Sequence, residues 1–84
     1  MINTNEDIYD FIRFLIIHLQ KDGQVDWSLS LKDAMNIGTM SGEVLGEIRI
    51  KLKALSQTDL LQKYKVEQEA KQCINYLDKV LGPY

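Results

Sequence analysis

Residues 41–55 read SGEVLGEIRIKLKAL, and this stretch determines how the rest of the chain can pack. Its apolar side chains recur at the three- and four-residue spacing of one helical face, at Val44, Leu45, Ile48, Leu52 and Leu55. Acidic residues come early and basic residues late, an order that complements the helix dipole. The stretch therefore predicts a helix from Ser41 to Leu55, with Thr39 or Ser41 as its N-cap.

A second side of this helix carries small residues. Gly42, Gly46, Ile50 and Ala54 recur every four residues, and small residues on such a ridge allow another helix to approach closely. Two interpretations stay open: either neighbours contact the helix from two sides, or the glycines weaken a surface helix. We favour the first, which places this helix at the centre, antiparallel to the first helix of the chain.

The N-terminal segment predicts a helix from Asn5 to Lys21. Thr4 and Asp7 have the spacing of a capping box, and Gly23 is a typical stop signal. One broad face of this helix is apolar, comprising Ile8, Phe11, Ile12, Leu15, Ile16 and Leu19.

Two further apolar side chains of the first helix, Phe14 and Ile17, fall on its polar side. The first helix therefore has more apolar surface than a single core face buries. We expect it to be buried from two directions or to expose an apolar patch.

The remaining two segments have less regular patterns. Residues 25–31 alternate apolar and polar side chains as a strand does, but they also fit helical spacing, and we favour a short helix from Ser28 to Asn36 ended by Gly38. In residues 58–81 the apolar positions change phase near Lys65, which predicts a bend, two short helices or two packing partners. The predicted fold class is all-α: a compact bundle of four or five helices forming a single domain over residues 1–84.

Composition limits the classes of function. The 84 residues carry a net charge of −2, and 45% of them are hydrophobic, which is typical of a globular protein. This weak acidity disfavours a nucleic-acid partner, whose binding surfaces are normally basic. The N-terminus lacks the basic region of a secretory signal, and residues 11–19 are too few to span a bilayer. We expect a cytoplasmic protein with no membrane association.

Chemically reactive residues are few. His18 and Cys73 are the only histidine and cysteine, and no flanking motif makes them a catalytic pair. We interpret Cys73 as a small buried hydrophobic residue and His18 as a helix-edge residue. We therefore predict no catalytic residues, no cofactor and no metal site, and a protein that is not an enzyme.

A helix-turn-helix across residues 30–49 is the best candidate for a DNA-binding element. Ala34, Gly38 and Val44 have the spacing which that motif uses for its small, turn and buried aliphatic residues. Glu43 and Glu47, however, open the helix that would read DNA, and carboxylates repel phosphates. DNA binding is therefore an alternative that the charge pattern disfavours.

Residues 34–49, AMNIGTMSGEVLGEIR, resemble a segment of small helical bacterial proteins that have no assigned function. In those proteins a short helix ends at a glycine, a Ser/Thr-Gly-Glu turn follows, and an aliphatic helix carries an arginine. The resemblance implies a helical hairpin and a bacterial or phage-like source. It implies no activity.

These observations favour a non-enzymatic protein-binding module, such as a bacterial immunity protein or a small regulatory inhibitor, whose acidic groups suit a basic target. The alternative is a structural homodimer that buries Phe14, Ile17 and the small-residue ridge against a second copy. The residues predicted to bind a partner are Asp10, Phe14, Ile17, Glu43, Glu47 and Ile50.

Overall fold

The computed structural model describes residues 2–37 and 41–82, and within these ranges it contains five helices and no strand. The helices are α1 (Asn5–Lys21), α2 (Val25–Asn36), α3 (Ser41–Leu55), α4 (Leu60–Lys63) and α5 (Glu67–Leu81). The radius of gyration is 11.8 Å, which equals the roughly 12 Å expected of a compact chain of this length. The predicted all-α bundle is confirmed. None of the described helices combines the length and the apolarity needed to cross a lipid bilayer.

Local signals determine both ends of α1. The backbone N–H of Asp7 donates to Thr4 Oγ1 at 3.2 Å, and the Asp7 carboxylate accepts from the backbone N–H of Thr4 at 3.0 Å. The bond from the Asn3 backbone N–H to the Asp7 carboxylate, followed by that from the Thr4 backbone N–H, lowers the pKa of Asp7. Gly23 has a φ of +75°, a conformation that suits a residue without a Cβ and turns the chain out of the helix. The predicted bounds of α1 are confirmed.

Helix α2 begins at Val25, three residues earlier than the predicted start at Ser28. Leu31 and Ala34 are buried while Val25 and Leu29 are exposed, so burial follows the helical period rather than the alternation along residues 25–31. A strand here would need a partner strand, and the described residues offer none. The predicted stop, Gly38, lies outside the described residues.

Helix α3 has the predicted bounds, and all five residues of its predicted core face are buried. Helix α3 contacts two helices, α2 and α5, but the expected contact on its small-residue side is wrong for the described chain, because Gly46 and Ile50 meet no neighbouring helix there. The most extensive backbone contacts join α1 to α2, α2 to α3 and α3 to α5. The buried side chains of α1 and α3 belong to the same core. The N-cap residue Thr39 and the side chain of Ser41 lie outside the described part of the chain.

The C-terminal segment divides as its change of phase predicts. Helix α4 ends at Lys63, Lys65 has a φ of +60°, and α5 begins at Glu67. The hydroxyl of Thr58 accepts from the backbone N–H of Leu60 at 3.2 Å and so caps the first turn of α4. Because the chain bends between the two helices, Leu60 and Leu61 of α4 and the apolar face of α5 pack into the same core.

One polar side chain is buried on α2 without a visible partner. Ser28 is 1% exposed, and its hydroxyl has no hydrogen-bond partner among the described residues. A buried hydroxyl without a partner costs about 1–3 kcal/mol.

Replacing Ser28 with alanine is expected to raise the free energy of unfolding by about 1 kcal/mol, because alanine removes the buried hydroxyl and favours the helix. Urea unfolding followed by circular dichroism measures this change. Ser30→Ala, at a half-buried position of the same helix, is the control for helix propensity alone. If S28A is less stable than the native chain, the Ser28 hydroxyl makes a stabilising hydrogen bond, and its assignment as buried and unpaired is wrong.

Candidate protein-docking surfaces

The first candidate surface is the α1 outer face, which we define by Asp10, Phe14 and Ile17. Phe14 is 40% exposed and Ile17 is 52% exposed, although the opposite face of the same helix is buried. The Arg13 guanidinium donates to the Asp10 carboxylate at 2.6 Å and lies 3.6 Å from the Glu6 carboxylate. The charges that border the two apolar side chains therefore pair with one another, and the centre of the surface is apolar.

An aromatic row supports Phe14. Its ring centroid lies 6.3 Å from that of Phe11 and 4.2 Å from that of His18. The His18 ring lies 5.9 Å from the ring of Tyr64 in the turn after α4. Aromatic neighbours at these distances restrict the Phe14 ring, so its exposed edge is held in place before any partner arrives.

Asp22 joins the end of α1 to α4 and keeps the aromatic row together. Both of its carboxylate oxygens accept from Lys63 Nζ at 2.8 Å, and one also accepts from the Tyr64 hydroxyl at 2.8 Å. The bond from Lys63, followed by that from Tyr64, lowers the pKa of Asp22. Burial, followed by the bond to Asp22, raises the pKa of Tyr64 to about 12.

The second candidate surface is the α3 groove, a depression of about 370 Å³ on the outer side of α3. Ile37 is 56% exposed and Ile50 is 42% exposed. A Cβ added at Gly42 or Gly46 would meet no atom within 4 Å. The lining residues are Ile37, Gly42, Glu43, Gly46, Glu47, Arg49 and Ile50.

Gly46, in the interior of α3, lowers the stability of the helix without improving its packing inside the described chain, whereas Gly42 lies in the first turn. A glycine in a helix interior costs about 0.5–1 kcal/mol relative to alanine. Since alanine would fit at Gly42 and at Gly46, close contacts within the described chain do not require either glycine. Their effect is to keep the groove open above the backbone of α3.

Arg49 fixes the position of α3 against α5 on one side of the groove. Arg49 is buried, and its Nη1 donates to Asp78 Oδ1 at 3.0 Å and to the Gly82 carbonyl at 2.7 Å. Lys53 Nζ also lies 3.4 Å from the Asp78 carboxylate. These charge-assisted bonds tie α3 to the C-terminal end of α5.

The structure divides the six predicted partner-binding residues into two groups. Asp10, Phe14 and Ile17 share the α1 outer face, while Glu43, Glu47 and Ile50 line the α3 groove. No residue of α1 is among the described residues that line the α3 groove. The two groups therefore lie on two surfaces.

Four exposed large apolar residues are not among the six residues predicted to bind a partner: Val25, Leu29, Ile37 and, on α5, Val80. Ile37 lines the α3 groove, and Val25 and Leu29 lie on the exposed side of α2. The four-residue spacing of Val25 and Leu29 was a usable signal, but it was hidden by the alternation along residues 25–31. Ile37 follows the last turn of α2, and no local pattern indicates that this position meets α3.

The single cysteine and the single histidine lie in different surroundings. Cys73 is fully buried, and this burial raises its pKa to about 12, so the thiol is protonated at neutral pH. His18 contacts the rings of Phe14 and Tyr64. Within residues 2–37 and 41–82, no cluster of three or more His, Cys, Asp or Glu side chains has the arrangement of a metal site.

The α2–α3 pair has part of the arrangement of a helix-turn-helix. Ala34 and Val44 are buried, as that motif needs, while Gly38 lies outside the described residues. Glu43 and Glu47 lie on the outer side of α3 in its first two turns, where a recognition helix presents its side chains to DNA. These carboxylates oppose phosphate binding.

Comparison with known proteins adds no functional assignment. No protein-family model, curated protein sequence or solved structure matches the chain.

Replacing Asp22 with asparagine is expected to reduce the loss of stability in acid. The pKa of Asp22 is lowered from its usual 3.8, so its stabilising effect is present above that value and disappears as the pH falls through the lowered pKa. Urea midpoints measured between about pH 2 and pH 7 test this. The control is Asp59→Asn, at an exposed position. Equal acid dependence in D22N and the native chain would contradict the role of Asp22.

Proposed function

We propose that this protein is a non-enzymatic protein-binding module whose external partner docks on the α1 outer face. The observation that carries the proposal is the exposure of Phe14 and Ile17, at 40% and 52%, on a helix whose other face already fills the core. Neither side chain is needed as a core residue. Aromatic and aliphatic side chains that a partner desolvates are the usual source of binding energy in protein interfaces.

The α1 outer face also has the layout of an interaction site. An apolar centre, Phe14 and Ile17, is bordered by Asp10, Arg13 and Glu6, whose charges pair with one another. The aromatic row holds Phe14 in place. Because the Phe14 side chain is already restricted, the formation of a complex costs less conformational entropy. A polar rim around an apolar centre is the common anatomy of such interfaces.

A small regulatory inhibitor, for example a bacterial immunity protein, is the finer form of this proposal. It is supported by the net charge of −2 and by the presence of only one histidine and one cysteine among the 84 residues. A net acidic chain favours association with a basic target.

A photo-crosslinking amino acid at position 17 tests the proposal in extracts of the cells that make the protein. We expect a discrete covalent adduct with one other protein, because Ile17 would lie at the centre of the interface. The same amino acid at position 68, which is exposed on α5, is the control and should give no such adduct.

Variants of the purified chain then test whether the captured protein binds at this surface. Ile17→Glu is expected to weaken the complex at least tenfold, since a carboxylate would be desolvated at the centre of the interface. Gln68→Glu adds the same charge on α5 and should bind as the native chain does. Equal affinity of I17E and Q68E, or no adduct from position 17 in a folded chain, would refute the proposal.

A further inference from the structure

We propose that docking on the α1 outer face is regulated by pH, because protonation of His18 beside Phe14 weakens the complex with the external partner. This inference rests on the proposed function and adds a regulation of the same surface. His18 is the only histidine of the chain, and histidine is the side chain whose charge ordinarily changes between about pH 5 and pH 8.

The His18 ring lies beside the apolar centre of the α1 outer face. Its centroid is 4.2 Å from that of Phe14, which precedes it by about one helical turn, and His18 directly follows Ile17 along the chain. The imidazole is half-buried in the free chain, and its other aromatic neighbour is the ring of Tyr64 at 5.9 Å. A partner that covers Phe14 and Ile17 therefore also removes water from the exposed part of the imidazole.

The imidazole has no carboxylate of its own to balance a positive charge. Among the described residues its two nitrogens make no hydrogen bond and no ion pair. Asp22 is the acidic residue nearest to His18 in the sequence, but both of its oxygens already accept from Lys63 Nζ at 2.8 Å, and one also accepts from the Tyr64 hydroxyl. An imidazolium at this position therefore depends on water, and burying a charge without a partner is costly.

The titratable neighbours of His18 keep their charge over the range in which histidine titrates. At the end of α1 they are Lys21 and Asp22, and at α4 they are Lys63 and Tyr64. Its bonds from Lys63 and Tyr64 lower the pKa of Asp22, which stays ionised, and burial raises the pKa of Tyr64 to about 12, so that phenol stays neutral. Lysine side chains are charged throughout this range, so only histidine among these residue types ordinarily changes its charge there.

The direction of the effect follows from the burial of the charge. A partner covers a neutral imidazole at small cost, because the ring already contacts two aromatic neighbours. Covering an imidazolium removes water from a charge that has no partner, so acid favours the free chain over the complex. The dissociation constant is expected to rise by on the order of tenfold when the pH falls from about 7.5 to about 5.5.

A pH titration of the purified chain by proton NMR tests the ring geometry without a partner. Because His18 is the only histidine, its imidazole signals are identified directly. We expect the ring signals of Phe14 to shift with the same midpoint pH as those of His18, since the two centroids lie 4.2 Å apart. Phe14 signals that do not follow the titration of His18 would overturn the proposal, because the two rings would then not be in contact.

The affinity for the protein captured through position 17, measured at about pH 7.5 and about pH 5.5, tests the regulation. His18→Gln removes the titrating group, so the ratio of its two dissociation constants reports the pH dependence of the partner and of the rest of the chain. We expect the native ratio to exceed the H18Q ratio by on the order of tenfold. Adding Gln68→His to H18Q places an imidazole at an exposed position of α5, and this control should keep the H18Q ratio. Circular dichroism at both pH values confirms that each variant is folded.

The possible results separate this inference from the proposed function. Equal ratios in the native chain and in H18Q, with a complex that I17E still weakens, would refute the regulation and leave the proposed function intact. Tighter binding of the native chain in acid, relative to H18Q, would also refute it, because the partner would then supply an anion to the imidazolium. If position 17 captures no protein, the proposed function fails, and this regulation fails with it.

Discussion

The open outer side of α3 is the constraint on which this account depends. Helix α3 buries one full face in the core, and its other side carries Gly42, Gly46 and Ile50 without a covering element in the described chain. A domain of about 80 residues has a small free energy of unfolding, so a loss of about 1 kcal/mol is a large part of it. Gly46, an interior helix glycine that no described contact requires, therefore lowers the stability of α3 without a compensating contact among the described residues.

The interactions around the two surfaces hold them in a fixed shape. Asp22 ties α4 to the end of α1 and so supports the aromatic row beside Phe14. Arg49 ties α3 to the end of α5 beside the groove. Both ties join segments that are distant in sequence, and they fix surfaces that would otherwise have to be ordered on binding. In both the α1 outer face and the α3 groove, an exposed apolar centre lies on a helix that charge-assisted hydrogen bonds join to a distant segment.

The fold could be predicted where local signals agree with burial. The capping box at Thr4 and the turn at Gly23 determine α1, and the change of apolar phase indicates the break at Lys65. The first residue of α2 could not be predicted from the local sequence, because the alternation of apolar and polar residues from Val25 fits a strand as well as a helix. Burial of Leu31 and Ala34, a tertiary effect, decides in favour of the helix.

The candidate surfaces could be predicted only in part. The position of Phe14 and Ile17 on the polar side of α1 follows from helical geometry, and their exposure agrees with it. Whether another helix would cover Gly46 depends on the order in which helices pack, and no local pattern contains that information. The same holds for Ile37, which joins the groove only because the end of α2 lies beside α3.

The free energy of unfolding of Gly46→Ala, measured at a protein concentration low enough to keep the chain monomeric, tests the central claim most directly. If the outer side of α3 is open, alanine meets no neighbour and stabilises the helix by about 0.5–1 kcal/mol. A loss of stability in this variant would show that Gly46 is packed against another part of the chain, and the α3 groove would then not be a surface for any partner.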